Sequence, residues 1–138
     1  MAYKNHDIIH SFAFLYCAFA HLTDGEISEE EWKDIGGKVY GWLKAFDHDV
    51  TGDGKIDADD VVQIVFEDVA PYYDSMDNDG RISEFVRIIE MHKAQEWWTN
   101  DLATGVVKDL EGLARADGKM LEGEQKWLDL VAKQYGIG

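Results

Sequence analysis

Residues 8–22, IIHSFAFLYCAFAHL, establish the fold class, because their apolar side chains recur with the period of an α-helix. Side chains three and four positions apart lie on the same helix face. One such face carries Ile8, Ile9, Phe12, Leu15, Tyr16, Phe19 and Leu22. The pattern predicts a helix from about Asn5 to Leu22, and the longest apolar run, 11–20, is too short to insert across a bilayer.

A helical period continues along the chain and predicts five more helices. The second begins at Ser28, where SEEE places Glu31 three residues after a serine, the spacing of a capping box. The others begin at about Ala58, Ser83, Asp101 and Glu122. Pro71 predicts a kink or an end in the third helix, and Gly136 predicts the C-terminal cap of the last.

No alternating apolar and polar run is long enough for a β-strand of ordinary length. The 138 residues also fit one ordinary domain. We therefore predict a single all-α domain over residues 1–138, a compact bundle of about six to seven helices joined by short acidic loops.

The charge balance limits the partners. The chain has 13 basic and 28 acidic residues, a formal net charge of −15. Such a surface repels nucleic acid and anionic lipid, and it favours cations and basic protein partners. The single cysteine, Cys17, excludes an intramolecular disulfide, and the N-terminus lacks the order of a signal peptide, so we expect a cytoplasmic protein.

Asp-Gly pairs precede predicted helices four times, which suggests a repeated loop design. The pairs are Asp24-Gly25, Asp53-Gly54, Asp79-Gly80 and Asp117-Gly118. Each has an apolar residue two places after the glycine. Asp and Gly are common in ordinary turns, so each loop needs its own assessment as a metal site.

The loop at 49–60 has the spacing of an EF-hand calcium loop, in which oxygens at positions 1, 3, 5, 7, 9 and 12 surround the ion and a glycine at position 6 allows a sharp turn. Its ligands in that order are Asp49, Thr51, Asp53, Lys55, Asp57 and Asp60. Lys55 would contribute only its carbonyl oxygen, and Gly54 occupies position 6. We predict a Ca²⁺ site here.

Two features of this loop leave alternatives. Asp60 replaces the longer glutamate that usually binds the ion through both oxygens, which makes Mg²⁺ the alternative ion. A solvated acidic loop that caps the third helix would use the same residues without a metal.

A weaker second site is predicted at 75–86, where Gly80 at position 6 aligns Ser75 with position 1. Its candidate ligands are Asp77, Asp79, Arg81 and Ser83. The closing carboxylate is missing, because position 12 is Val86. Only 14 residues separate Asp60 from Ser75, so one helix places the two loops at its opposite ends.

Two further segments, FAFLYCAFAHLTDGEISEEEW (12–32) and GLARADGKMLEGEQKWLDLVAKQYGI (112–137), each have an apolar helix, Asp-Gly, a glutamate seven residues after the aspartate, and a second apolar helix. They resemble the two halves of a TerB-like domain of tellurite-resistance proteins, over about 45 residues. The resemblance implies an all-α module of stress-response or membrane-associated assemblies. It carries over Asp24, Glu31, Asp117 and Glu124 as metal ligands.

The residues of these terminal loops alone favour a turn followed by a helix cap. The middle of the chain departs from the TerB-like pattern, since DVTGDGKIDADDV (49–61) is similar to EF-hand and dockerin loops. His6 and His10 are four apart on the first helix but lack two further zinc ligands, so we expect them on its surface.

No serine or cysteine pattern of nucleophilic catalysis and no glycine-rich phosphate loop is present. The sequence therefore predicts a non-enzymatic calcium-binding helical module. The alternative is an acidic protein-interaction adaptor in which the metal is incidental.

Overall fold

The computed structural model describes residues 8–24, 27–46, 54–115 and 122–137. Within these ranges the chain forms six helices and no strand, which confirms the predicted all-α class. The helices are α1 (Ile8–Asp24), α2 (Glu29–Ala45), α3 (Ala58–Val62, Gln63–Val69 and Ala70–Asp74 in continuous sequence), α4 (Asn78–Lys93), α5 (Asn100–Ala114) and α6 (Glu122–Tyr135).

Helix α1 is the centre of the bundle and contacts each of the other five helices. Its side chains from Phe12 to Ala20 are buried all round, Cys17 among them. A helix that is apolar on every face is stable only when it is enclosed on every side, and this position satisfies that requirement.

Two predicted helix ends are confirmed. Ser28 accepts a hydrogen bond from the Glu31 amide, and Glu31 accepts one from the Ser28 amide, which completes the predicted capping box of α2. Gly136 has φ +83°, and the Ile137 amide donates to the carbonyl oxygen of Ala132. This is the Schellman arrangement that favours glycine after a helix.

The middle of α3 is π-helical over Gln63–Val69, and Pro71 lies just beyond it in the first turn of the next α-helical segment. The Ala70 amide donates to the carbonyl oxygen of Val65, five residues earlier. Proline lacks an amide proton and its ring clashes with the carbonyl four residues before it in an α-helix. The wider π turn accommodates Pro71 within a continuous helix, so of the two predicted outcomes the helix end does not occur here.

Helices that follow one another along the chain run in opposite directions, so the starts of α2, α4 and α6 lie at one end of the bundle. His21 Nδ1 lies 2.7 Å from the Tyr73 hydroxyl, which places the end of α1 beside the end of α3. The Phe85 and Trp127 rings lie 5.3 Å apart, and His92 contacts Tyr135 further along both helices. Helices α4 and α6 therefore run in the same direction, with their starts at the same end of the bundle. His10, near the start of α1, contacts Asp68 in the π-helical segment, earlier in both helices than the His21–Tyr73 contact. Helices α1 and α3 therefore run in the same direction, and α3 begins at the opposite end of the bundle. In the described ranges, no helix combines the length and apolar character needed to cross a bilayer.

Candidate functional site

The described half of the predicted calcium loop begins at Gly54, which has φ +83°. This left-handed conformation is the one that a sharp turn at position 6 requires, and it disfavours every residue with a Cβ atom. Lys55 is exposed, and Ile56 packs against the core. The remaining ligand positions before Gly54, Asp49, Thr51 and Asp53, lie outside the described residues.

Asp57 and Asp60, the last two ligands of the loop, also start helix α3. Asp57 caps the helix and accepts a hydrogen bond from the Asp59 amide at 3.1 Å. Asp60 accepts one from the Asp57 amide at 2.8 Å, and its side chain is fully buried. The capping and metal interpretations therefore use the same two carboxylates. Burial of a carboxylate requires strong compensation, from hydrogen bonds, a cation or both.

The expected loop over 75–86 is wrong in its secondary structure, because helix α4 begins at Asn78 instead of Ser83. Asp77 is the N-cap and accepts from the Gly80 amide at 2.8 Å, while Asp79, Arg81 and Ser83 lie within the helix. The Arg81 guanidinium donates to the carbonyl oxygen of Tyr73 and stacks over its ring. A helical backbone does not wrap these side chains around one centre.

The candidates from the TerB-like resemblance are only partly described. Glu31 and Glu124 are almost completely buried, at 1% and 3% exposure, at the starts of α2 and α6. Asp24 is the last residue of α1, and Asp117 lies outside the described residues. Asp60, Glu31 and Glu124 thus share one arrangement, a buried carboxylate in the first helical turn after an acidic Asp-Gly loop.

Among the described residues, no three or more His, Cys, Asp or Glu side chains lie together in a group that could hold a metal ion. This result covers Asp57 and Asp60 but excludes the first half of the loop. The described part of the chain alone therefore forms no complete metal site.

A buried polar chain links three helices in the core, and the sequence analysis did not identify it. The Ser11 hydroxyl donates to the carbonyl oxygen of Ile8 at 2.6 Å, so its oxygen accepts the Nε2 proton of His92 at 2.8 Å. The remaining imidazole nitrogen, Nδ1, then accepts the hydroxyl proton of Tyr135 at 2.8 Å. Burial lowers the pKa of His92 to about 3, so the ring is neutral.

A second, partly buried network joins α1, α2 and α5. The Tyr16 hydroxyl donates to Asp109 at 2.5 Å, and the Trp42 indole donates to both Tyr16 and Asp109. Burial, and then the nearby Asp109 carboxylate, raise the pKa of Tyr16 well above its usual value. Sequence spacing could not reveal this group, because its members are far apart along the chain.

The surface position expected for His10 is wrong. Its side chain is buried, and Nε2 donates to the Asp68 carboxylate on the π-helical segment at 2.7 Å. Gln63 also donates to that carboxylate, at 2.8 Å. The pair fixes α1 against α3 and is not part of a zinc site in the described residues.

Comparisons with family models, curated proteins and solved structures find no match to this chain. The TerB-like resemblance consequently remains a prediction from the residues themselves.

Proposed function

We propose that the chain is a non-enzymatic calcium-binding helical module whose ion lies in the loop at 49–60. The single observation that supports this most is the left-handed turn at Gly54, followed six residues later by the fully buried Asp60. A helix cap alone explains Asp60, but it needs no left-handed glycine at position 6. The calcium loop needs both.

The chemistry of the donor set fits a hard cation. Asp49, Asp53, Asp57 and Asp60 place four carboxylates within 12 residues. Without a counter-charge they repel one another, and a bound Ca²⁺ would remove this repulsion. Asp60 would hold the ion while its hydrogen bond to the Asp57 amide keeps the start of α3 in place. The ion would then fix the angle between α2 and α3, with Mg²⁺ as the alternative occupant.

A non-enzymatic role fits the described residues, because the serine–histidine pair among them, Ser11 with His92, is enclosed in the core. Ser11 and His92 are within hydrogen-bond distance, but both are fully buried, and Ser11 directs its proton at a backbone carbonyl. A nucleophile needs a base that accepts its proton and a path for the substrate. Neither condition is met at this pair. The TerB-like resemblance further supports a place in a stress-response system.

The test is a calorimetric titration of the chelator-stripped protein with Ca²⁺, repeated with Mg²⁺ and with an Asp49→Ala/Asp53→Ala variant. We expect one site per chain that the variant loses. A matched Asp77→Ala/Asp79→Ala variant should keep it, because those side chains start helix α4. An absence of calcium-dependent heat and of any calcium-induced shift in melting temperature would reduce the loop to a helix cap.

The second candidate function is an acidic adaptor that docks a basic or membrane-associated protein. Its support is an exposed apolar face on α2 and α3, formed by Tyr40, Val62 and Phe66. Asp59 and Glu67 are exposed on α3 beside this face. If the affinity for a basic partner falls with salt and does not change when a chelator is added, the adaptor is favoured over the calcium module.

A further inference from the structure

An apolar groove separates helices α4 and α6 on the surface. It encloses about 230 Å³ and is lined by aliphatic and aromatic side chains except for Gln134. Ile82 and Val86 on α4 are each 42% exposed, and Leu130 on α6 is 63% exposed. Leu130 is the most exposed large apolar side chain in the described part of the chain. Contiguous exposed apolar side chains of this kind mark interaction sites.

The two helices run parallel, and contacts between them fix their relative level. Phe85 stacks edge-on against Trp127, and further along the Gln134 amide donates to Glu90 at 2.8 Å. At the far end Tyr135 bonds to His92. Glu90 on α4 therefore lies level with residues 133–134 on α6, and Val86 lies about level with Leu130.

The α4 side of the groove is acidic. Asp79 and Glu90 are exposed and are spaced at helical intervals from Ile82 and Val86, so they share one face. Lys93 follows on the same face, 3.4 Å from Glu90. Two carboxylates against one ammonium give this side a net negative charge.

The α6 side is basic, which is unusual in a chain with a net charge of −15. Lys126 and Lys133 are exposed on either side of Leu130 along the helix. Asp129 is the one exposed carboxylate between them. From Lys126 to Lys133, two exposed ammonium groups against one exposed carboxylate give this stretch a net positive charge next to the exposed leucine.

We propose that a second copy of this chain occupies the groove, related by a two-fold axis parallel to α4 and α6. Such an axis lays α4 of each copy over α6 of the other and preserves the level along the helices. Leu130 then meets Val86 of the second copy, and Lys133 meets its Glu90. Each interaction occurs twice, as an isologous interface requires.

Charge complementarity favours this occupant. A basic peptide would suit the α4 side but would face Lys126 and Lys133, and an acidic one would face Asp79 and Glu90. A second copy instead brings Lys133 of each chain to Glu90 of the other, so that the exposed ammonium and carboxylate of the two sides meet twice. The remaining negative charge opposes association only at short range under physiological salt, where the Debye length is about 8 Å.

The apolar contact is tested with Val86→Glu, measured by sedimentation equilibrium of the full chain. The matched control is Val62→Glu, which places the same charge at a valine of nearly equal exposure, 43%, on α3. We expect a wild-type dimer, a monomeric Val86→Glu variant and a dimeric Val62→Glu variant, all with unchanged circular dichroism. A wild-type chain that stays monomeric into the millimolar range overturns the proposal, as does equal weakening by both substitutions.

The ionic contact is tested with Glu90→Lys and Lys133→Glu, first separately and then mixed. Alone, each variant places like charges at both Glu90–Lys133 contacts, and we expect its dimer to weaken by about tenfold or more. In a heterodimer of the two variants, the two substituted positions face each other with opposite charges, and the second contact is the original Glu90–Lys133 pair. The mixture should therefore dimerise at wild-type affinity. A change within one chain cannot be rescued by mixing, so variants that remain weak together overturn the proposed two-fold arrangement.

Discussion

His92 accepts the hydroxyl proton of Tyr135 across 2.8 Å, and this bond ties the last turn of α4 to the last turn of α6. The same imidazole donates to Ser11 on α1. Trp98 stacks on its ring at a centroid distance of 4.6 Å. Burial thus keeps the ring neutral, and its two hydrogen bonds fix one tautomer.

The first prediction concerns acid stability. Burial lowers the pKa of His92 from 6.5 to about 3. As the pH falls below 6.5, the imidazole therefore binds a proton in the unfolded chain but stays neutral in the folded chain. The contribution of the neutral His92 ring to the free energy of unfolding is fully present above pH 6.5 and is lost progressively between pH 6.5 and about 3. Lowering the pH from 7.5 to 5 should therefore reduce the free energy of unfolding by about 2 kcal/mol through His92 alone.

Urea denaturation of the wild type and of His92→Gln at the two pH values measures this contribution. The variant should be less stable at pH 7.5 but should lose about 2 kcal/mol less on acidification. Equal losses in the two proteins would show that His92 titrates normally in the folded state and would contradict the prediction.

The second prediction concerns the Tyr16–Trp42–Asp109 network. Tyr16→Phe removes one hydroxyl, but Trp42 keeps its bond to Asp109, so the free energy of unfolding should fall by about 1 kcal/mol. Asp109→Ala removes the acceptor of both donors and should cost about 2–4 kcal/mol. Guanidinium unfolding gives both values, and a larger loss for Tyr16→Phe would mean that Asp109 is not the centre of the network.

Local signals in the sequence were sufficient for most helix ends. The serine-glutamate spacing at Ser28 and the glycine at 136 act through bonds within a few residues, so the pattern alone predicts them. The start of α4 was missed by five residues, because Asp77 caps the helix while Asp-Gly at 79–80 resembles a turn. The helical conformation of residues 78–82 is accompanied by a contact of Arg81 with Tyr73 at the end of α3, which the local pattern does not contain.

Long-range polar pairs could not be predicted. His92 follows Phe85, Ile88 and Ile89 at helical spacing, which was a usable sign of burial, but its partners are 43 and 81 residues away. The π-helical form of residues 63–69 could not be predicted either, because Pro71 indicates only that some irregularity is required near it.

The third prediction compares two glycine-to-alanine substitutions. Gly54 has φ +83°, so Gly54→Ala should destabilise the protein by about 1–2 kcal/mol and weaken calcium binding. Gly37 lies inside α2 with no atom within 4 Å of a Cβ placed there. Gly37→Ala should instead stabilise by about 0.5–1 kcal/mol, because alanine loses less backbone entropy in a helix. Thermal denaturation distinguishes the opposite signs, and a stabilising Gly54→Ala would argue against the sharp turn.

The fourth prediction concerns stabilisation by calcium. A ligand that binds only the folded state adds about 2.7 kcal/mol at 100 times its dissociation constant, which is about 10 °C in melting temperature for a domain of this size. Differential scanning calorimetry with and without Ca²⁺ measures the shift. Because the shift follows the logarithm of the calcium concentration, its slope also distinguishes binding from a general effect of salt.

Two asparagine variants locate the source of that shift. The oxygen of an asparagine amide accepts a hydrogen bond as a carboxylate oxygen does, so Asp60→Asn keeps an acceptor for the Asp57 amide and Asp77→Asn keeps one for the Gly80 amide. Each substitution removes one negative charge. Asp60 is the closing residue of the loop with the left-handed glycine, while Asp77 caps a helix that starts at the next residue. Calcium should therefore stabilise Asp77→Asn as it does the wild type, and Asp60→Asn much less. Equal calcium shifts in the two variants would move the ion away from the loop at 49–60.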